Sequence, residues 1–199
     1  MADMEKTGKN LEGRGFRVHR FATGAEAAEF LVQTLHGTSI GIGGSVTIDT
    51  LGVYDRLCGS NEVFWHWKNH APETRERAGK AKTYLCSANG VSENGEIVNI
   101  DGFGNRVAGT IYGPERVFLV VGRNKIAPDL NGAIDRARNI AAPLNARRLN
   151  RHTPCAVGEP RCHDCRSPEK VCGVMTVFFM PPTSIKEFHV ILVDEDLGY

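Results

Sequence analysis

Apolar residues recur with two different periods along the first ninety positions. "FRVHRF" (16–21), with Phe16, Val18 and Phe21 among polar residues, reads as a short strand. In "ATGAEAAEFLVQTL" (22–35), Ala28, Phe30, Leu31 and Leu35 fall on one helix face, and Thr23 is suited to the N-cap. "TSIGIGGS" (38–45) reads as a strand running into a glycine turn, and "VTIDTLGVYDRL" (46–57) as a helix with Ile48, Leu51, Tyr54 and Leu57 on one side. "NEVFWHW" (61–67) is a strand, "APETRERAGKAK" (71–82) a polar helix with Pro72 in its first turn, and "TYLCSANG" (83–90) a strand again. Strands alternating with helices predict a parallel sheet with helices on its faces.

The rhythm then changes. "GEIVNID" (95–101), "NRVAGTIY" (105–112) and "ERVFLVVG" (115–122) follow one another closely, bordered by Asn94-Gly95, Asp101-Gly102, Gly104-Asn105 and Gly113-Pro114. Such spacing predicts an antiparallel β meander inserted in the α/β sheet. "APDLNGAIDRARNIAAPLNARRLN" (127–150) returns to helix spacing through Leu130, Ile134, Ala137 and Ala141. "VMTVFFM" (174–180), a Pro181-Pro182 break and "FHVILVDEDLGY" (188–199) close the chain. The 199 residues are expected to form a single α/β domain over 1–199.

Composition narrows the function classes. The 24 basic and 23 acidic residues leave a net charge of +1, so bulk attraction to nucleic acid is not expected. The opening "MADMEKTGKNLEGRG" lacks the apolar core of a secretory signal, and no apolar run approaches the roughly 20 residues of a membrane helix. The expected compartment is the cytoplasm, with no membrane partner, and lasting disulfides are rare there.

Three stretches carry candidate chemistry. The turn Gly41–Ser45 lies between a strand and a helix, where backbone N–H groups favour a small anion. It is not a dinucleotide fingerprint, because Val46 stands where the third glycine would be. A tight turn that binds nothing is the competing reading. Between 89 and 106, Asn89, Glu96, Asn99, Asp101, Asn105 and Arg106 cluster. Glu96 or Asp101 could act as general acid/base, although Asn and Asp also favour turns for purely local reasons. Asn124 and Lys125 follow an apolar strand, where ligands of open α/β sheets sit, so Lys125 or Arg106 could clamp an anion.

The third stretch, "TPCAVGEPRCHDCRSPEKVCG" (153–173), holds Cys155, Cys162, Cys165 and Cys172. Four thiolates suit tetrahedral zinc or an iron–sulfur cluster, with disulfides or packing cysteines as lesser readings. Arg147, Arg148, Arg151, Arg161, Arg166 and Lys170 would offset the negative charge of such a site, or face an anionic ligand or RNA instead. Cys58 and Cys86 lie in apolar contexts and are expected to be buried free thiols. His66, between two tryptophans, is expected to be packed or half-exposed.

"GIGGSVTIDTLG" (41–52), "SANGVSENGEIVNIDGFGNRVAG" (87–109) and "GPERVFLVVGRNKI" (113–126), in that order, resemble the LUD domain of lactate-utilisation proteins related to lactate-utilisation protein C. The resemblance implies an open sheet similar to ribose-5-phosphate isomerase, glucosamine-phosphate deaminase and CoA transferases. It implies a cytoplasmic metabolic or redox role in lactate or organic-acid utilisation, with a small anionic metabolite as ligand and iron–sulfur oxidoreductase subunits as partners. It marks Gly43, Gly44, Ser45, Asn89, Glu96, Asp101, Asn105, Arg106, Asn124 and Lys125 as pocket residues. It also tips the four-cysteine segment towards an iron–sulfur cluster (4Fe–4S) over zinc. A homodimer is expected. The four-cysteine ending departs from lactate-utilisation protein C itself and puts lactate in question as the ligand. The competing function is a zinc-stabilised module that binds RNA or protein without catalysis.

Overall fold

The alternation of strand and helix builds one large parallel sheet, and a smaller sheet packs beside it. In the computed structural model, which describes residues 3–199, the strands in chain order are β1 (Arg17–Phe21), β2 (Ser39–Ile42), β3 (Glu62–Trp65), β4 (Thr83–Ser87), β5 (Gly90–Ser92), β6 (Ile97–Asp101), β7 (Arg116–Gly122), β8 (Ile126–Ala127), β9 (Val174–Phe178) and β10 (Glu187–Val193). The large sheet has the order β1-β10-β7-β4-β2-β3, and every pair in it is parallel. The small sheet has the order β8-β5-β6-β9, with β5–β6 and β6–β9 antiparallel and β5–β8 parallel.

The helices are α1 (Met4–Gly13), α2 (Gly24–Thr34), α3 (Val46–Thr50), α4 (Tyr54–Cys58), α5 (Thr74–Lys80), α6 (Asn105–Ile111), α7 (Leu130–Arg136), α8 (Ala142–Arg148) and the single turn α9 (Pro154–Val157). A π turn over Ala137–Ala141 joins α7 to α8. Thr23 caps α2 as its sequence implied: its hydroxyl accepts from the Glu26 N–H, and the Glu26 carboxylate accepts from the Thr23 N–H in return. The helix expected over 46–57 is broken at Gly52, which has φ +63°, so α3 and α4 are separate short pieces.

Strand alternation divides the core. Phe118 and Val120 of β7 join Leu31, Ile42 and Ile191 on one face of the large sheet. Val117, Leu119 and Val121 join Leu11, Phe16, Tyr84 and Leu192 on the other. Burial on both faces explains the unbroken apolar run of β7. A third apolar cluster, with Val98, Ile100, Ala133 and Ala137, seats α7 on the small sheet.

The expected three-strand meander is not what forms. Residues 105–111 are helix α6, because the Asp101 carboxylate accepts from the N–H groups of Arg106 and Val107 and satisfies two of its orphan donors. Gly104, at φ +91°, turns the chain into the helix. Gly109 then lies against the Tyr84 ring, where an added Cβ would come within 2.4 Å. The small sheet is therefore assembled from the β5–β6 hairpin with β8 and β9, which come from later in the chain, and not from one run. Cys86 is buried as expected, whereas Cys58, at the end of α4, is exposed.

Candidate functional site

β2, β4 and β7 lie side by side in the large sheet, and their carboxyl ends open on a common cavity of about 700 Å³. The loop after β2 brings Gly44, Ser45 and Thr47 to its wall, the end of β4 brings Ser87 and Asn89, and the turn after β7 brings Lys125. Ser45 N-caps α3 by accepting from the Ile48 N–H at 3.2 Å.

Lys125 is buried. Its Nζ donates to Thr47 Oγ1 at 2.7 Å and to Ser87 Oγ at 2.8 Å. Both hydroxyls place their own hydrogens elsewhere: Thr47 on the Leu197 carbonyl at 3.2 Å, Ser87 on the Val120 carbonyl at 2.6 Å. Among the described residues no carboxylate pairs with Lys125. Burial first, then the guanidinium charges of Arg136 and Arg106, push its pKa well below the ordinary lysine range.

Arg106 ties the cavity wall together. Nη1 donates to the Ser87 carbonyl at 3.0 Å and to Asn99 Oδ1 at 2.7 Å, and Nη2 donates to Asn89 Oδ1 at 2.7 Å. It thereby locks β4 to β6, with its donors committed to protein oxygens. Asp101 also lines the cavity, and its carboxylate serves the α6 N-terminus.

Beside the buried Lys125, five cations reach the cavity wall: Arg75, Arg106, Arg148, Arg151 and Lys170. Among the described residues none of them forms a salt bridge, although ion pairs are plentiful on the rest of the surface. The acids on the wall are Asp101 and Glu169, and Glu169 accepts from the His152 N–H at 2.6 Å. Arg148 lies over the Trp67 ring at 4.5 Å and donates to the Tyr199 hydroxyl at 2.8 Å. His66 lines the same wall, with a buried Nδ1 that has no partner. Burial first, then Arg75, holds its pKa down to about 4.

The four-cysteine segment forms part of the cavity. Pro168–Val171, between Cys165 and Cys172, line it, and the Val171 backbone packs so closely on Gly102 that a Cβ there would come within 2.7 Å. All four cysteines are free thiols and half-buried. Asp164 turns the knuckle between Cys162 and Cys165 at φ +47°. Arg138 donates to the Cys162 sulfur at 3.3 Å. The Cys172 thiol is pushed up by burial, opposed by Lys170, and pushed up further by the charges of Cys162, Cys165 and Cys155. Among the described residues, no three His, Cys, Asp or Glu side chains are arranged to ligate one ion.

A family model described as LUD domain matches residues 4–193. The chain belongs to the LUD-domain family. Among solved structures, a DUF162 family protein from Deinococcus radiodurans has a similar fold, with a TM-score of 0.56 and 15% identity over 96% of this chain and 95% of that one. No curated protein matches. Among the described residues no helix is long and apolar enough to cross a membrane.

Of the expected pocket residues, Gly44, Ser45, Asn89, Asp101, Asn105, Arg106 and Lys125 do line the cavity. Gly43 lies just behind it, against Arg106 and the Tyr84 hydroxyl. Asn124 instead holds the C-terminal tail, with Nδ2 donating to the Gly198 carbonyl and Oδ1 accepting from the Leu197 N–H. Glu96 is turned away: its carboxylate pairs with Arg14 of α1, and a catalytic role in the cavity does not suit that placement. Trp67, His70, Arg75 and Tyr199 also stand on the wall, and no motif in the sequence marks them. Only the basic run through Arg148, Arg151 and Lys170 hinted at them, by its charge.

Proposed function

We propose that this LUD domain binds a small anionic organic metabolite in the cavity at the ends of β2, β4 and β7. The observation that carries the reading is the set of five wall cations, Arg75, Arg106, Arg148, Arg151 and Lys170, that have no carboxylate partner among the described residues. Unpaired cations facing a shared concave space are stabilised by an anion entering it. Arg75, Arg148, Arg151 and Lys170 are the clamp, while Arg106 positions the wall and Lys125 sits at the floor. The role is metabolic or redox, in the use of lactate or related organic acids, in the cytoplasm and beside iron–sulfur oxidoreductase subunits. The fold is of the ribose-5-phosphate isomerase and CoA-transferase kind, in a single domain.

The same reading gives the four cysteines of 153–173 a metal, as zinc or an iron–sulfur cluster. The donor set fits: four free thiols within charge range of one another, with Arg138 and Lys170 to offset thiolate charge. Ligation requires the segment to draw its sulfurs inward from their present positions. A bound centre would supply structural closure or electron transfer beside the cavity.

Two measurements test these readings. Trp65 and Trp67 are the only tryptophans and are stacked at 5.6 Å, so their emission reports on the cavity. Titration with lactate, pyruvate or inorganic phosphate is expected to change it saturably. Arg75→Ala and Arg151→Ala should each weaken binding about tenfold, roughly 1.4 kcal/mol. An emission that responds to none of the three anions removes the ligand reading. Iron and zinc analysis with a visible spectrum, on protein purified without oxygen, tests the cysteines: metal-free, colourless protein removes the metal.

A further inference from the structure

We propose that Lys125 is the reactive group of the cavity, a neutral primary amine that condenses with the carbonyl carbon of a small 2-oxo acid to form an imine. This rests on the reading of the cavity as an anion site and gives that anion a carbonyl.

The geometry around Nζ supports an amine. An ammonium has three N–H donors, whereas an amine has two and one lone pair. The protein offers Nζ two acceptors, Thr47 Oγ1 at 2.7 Å and Ser87 Oγ at 2.8 Å. Neither hydroxyl can donate back, because their hydrogens lie on the Leu197 and Val120 carbonyls. Two N–H groups are therefore satisfied, and among the described residues there is no third acceptor for an ammonium. A buried ammonium would also face the Arg106 and Arg136 charges with no carboxylate to offset it. Burial and those charges both favour the neutral form. Lys125 nevertheless lies on the cavity wall, so the remaining position on nitrogen belongs to a ligand.

Three adjacent strand ends converge on this atom: Thr47 follows β2, Ser87 ends β4, and Lys125 follows β7. Helix α3 sets the Thr47 hydroxyl and strand β4 sets that of Ser87, which fixes Nζ. A desolvated lysine amine among cations is the form that attacks carbonyl carbon. The lone pair bonds to that carbon and gives a carbinolamine. The nitrogen then gives up both hydrogens as the former carbonyl oxygen leaves as water. The condensation is reversible and needs no oxidant or reductant. The carboxylate of the 2-oxo acid is held meanwhile by the arginines of the wall, Arg75 and Arg148 among them.

The test is imine trapping on the full chain. Protein is incubated near neutral pH with pyruvate, and in parallel with glyoxylate, in the presence of sodium cyanoborohydride. This reagent delivers hydride to an imine carbon and fixes it as a secondary amine. Peptide mass mapping is expected to find one dominant adduct, on Lys125, formed at least tenfold faster than on any other lysine and slowed by inorganic phosphate. Lys125→Met and Lys125→Arg should both lose it. Label that spreads over surface lysines, or that persists in these variants, overturns the proposal. Pyruvate binding is followed separately by tryptophan emission. Protein that binds pyruvate but carries no adduct at Lys125 overturns the imine and leaves the anion site standing; protein that neither binds nor is labelled removes both.

Discussion

Lys125→Met removes one ionisable amine from the cavity floor and leaves an apolar chain of similar length. Two hydrogen bonds are lost, to Thr47 and Ser87, at about 1 kcal/mol each. Against this stands the cost of bringing the lysine inside. In the unfolded chain a lysine titrates near 10.4, and in the folded protein Lys125 titrates well below that. Between the two values the unfolded state holds one more proton. Stability therefore rises with pH across this window, at about 1.4 kcal/mol per pH unit, and is lost as pH falls back through it. The variant lacks this contribution. Urea unfolding of both proteins at about pH 8 and about pH 9 should find the wild type gaining on the variant, by up to about 1.4 kcal/mol over that single unit. Cys86, whose thiol burial pushes up to about 12, changes stability in the opposite sense, but it is common to both proteins and cancels in the difference. A difference that stays flat with pH would mean the amine remains charged when folded, and would refute the neutral-amine argument at its root.

Three further outcomes follow from the packing and the charges. Gly41→Ala places a Cβ 2.0 Å from the Ala78 carbonyl oxygen, backbone that cannot step aside, and should cost at least about 3 kcal/mol or abolish folding, read by denaturant midpoint. Glu96→Gln weakens the pair with Arg14 and should cost about 1–2 kcal/mol of stability while leaving anion affinity unchanged; a large loss of affinity would return Glu96 to the site. The third concerns His66, held neutral near pH 4 in the fold against about 6.5 unfolded. Stability is present above about 6.5 and is lost as pH falls towards 4, by no more than about 1 kcal/mol per unit after solvent screening. His66→Gln should flatten that part of the acid limb in a pH series of thermal melts, with the part due to the lowered pKa values of His19 and His189 left in place.

What the sequence disclosed was local. The Thr23 N-cap and the apolar stripe of α2 each carry their signal within a few residues and formed as read, and β1 and β7 formed as strands, although β7 joined the parallel sheet and not a meander. Residues 105–111 misled because Val107, Thr110 and Ile111 favour strands, while the deciding contacts are an Asp101 carboxylate before the helix and a Tyr84 ring from another strand. The glycine turn and Lys125 were recognisable from their place after apolar strands. The other half of the cavity was not, because Trp67, Arg75, Arg148 and Tyr199 come from four separate segments joined only by the fold. Strand alternation puts Glu96 and Asp101 on opposite faces of one hairpin arm, but only the pair between Glu96 and Arg14 reveals that Asp101 is the one that faces the cavity.

The position of β10 has a consequence for how the protein comes into being. Of the strands of this domain it comes last in the chain, yet it lies between β1 and β7. During translation β1 has no neighbour in the sheet, and β7 presents an open apolar edge, until residues 187–193 have left the ribosome. Closure of the large sheet then waits on a long-range parallel pairing that is slow to find. A ribosome stalled before residue 187 would release a sticky fragment rather than a shorter working protein.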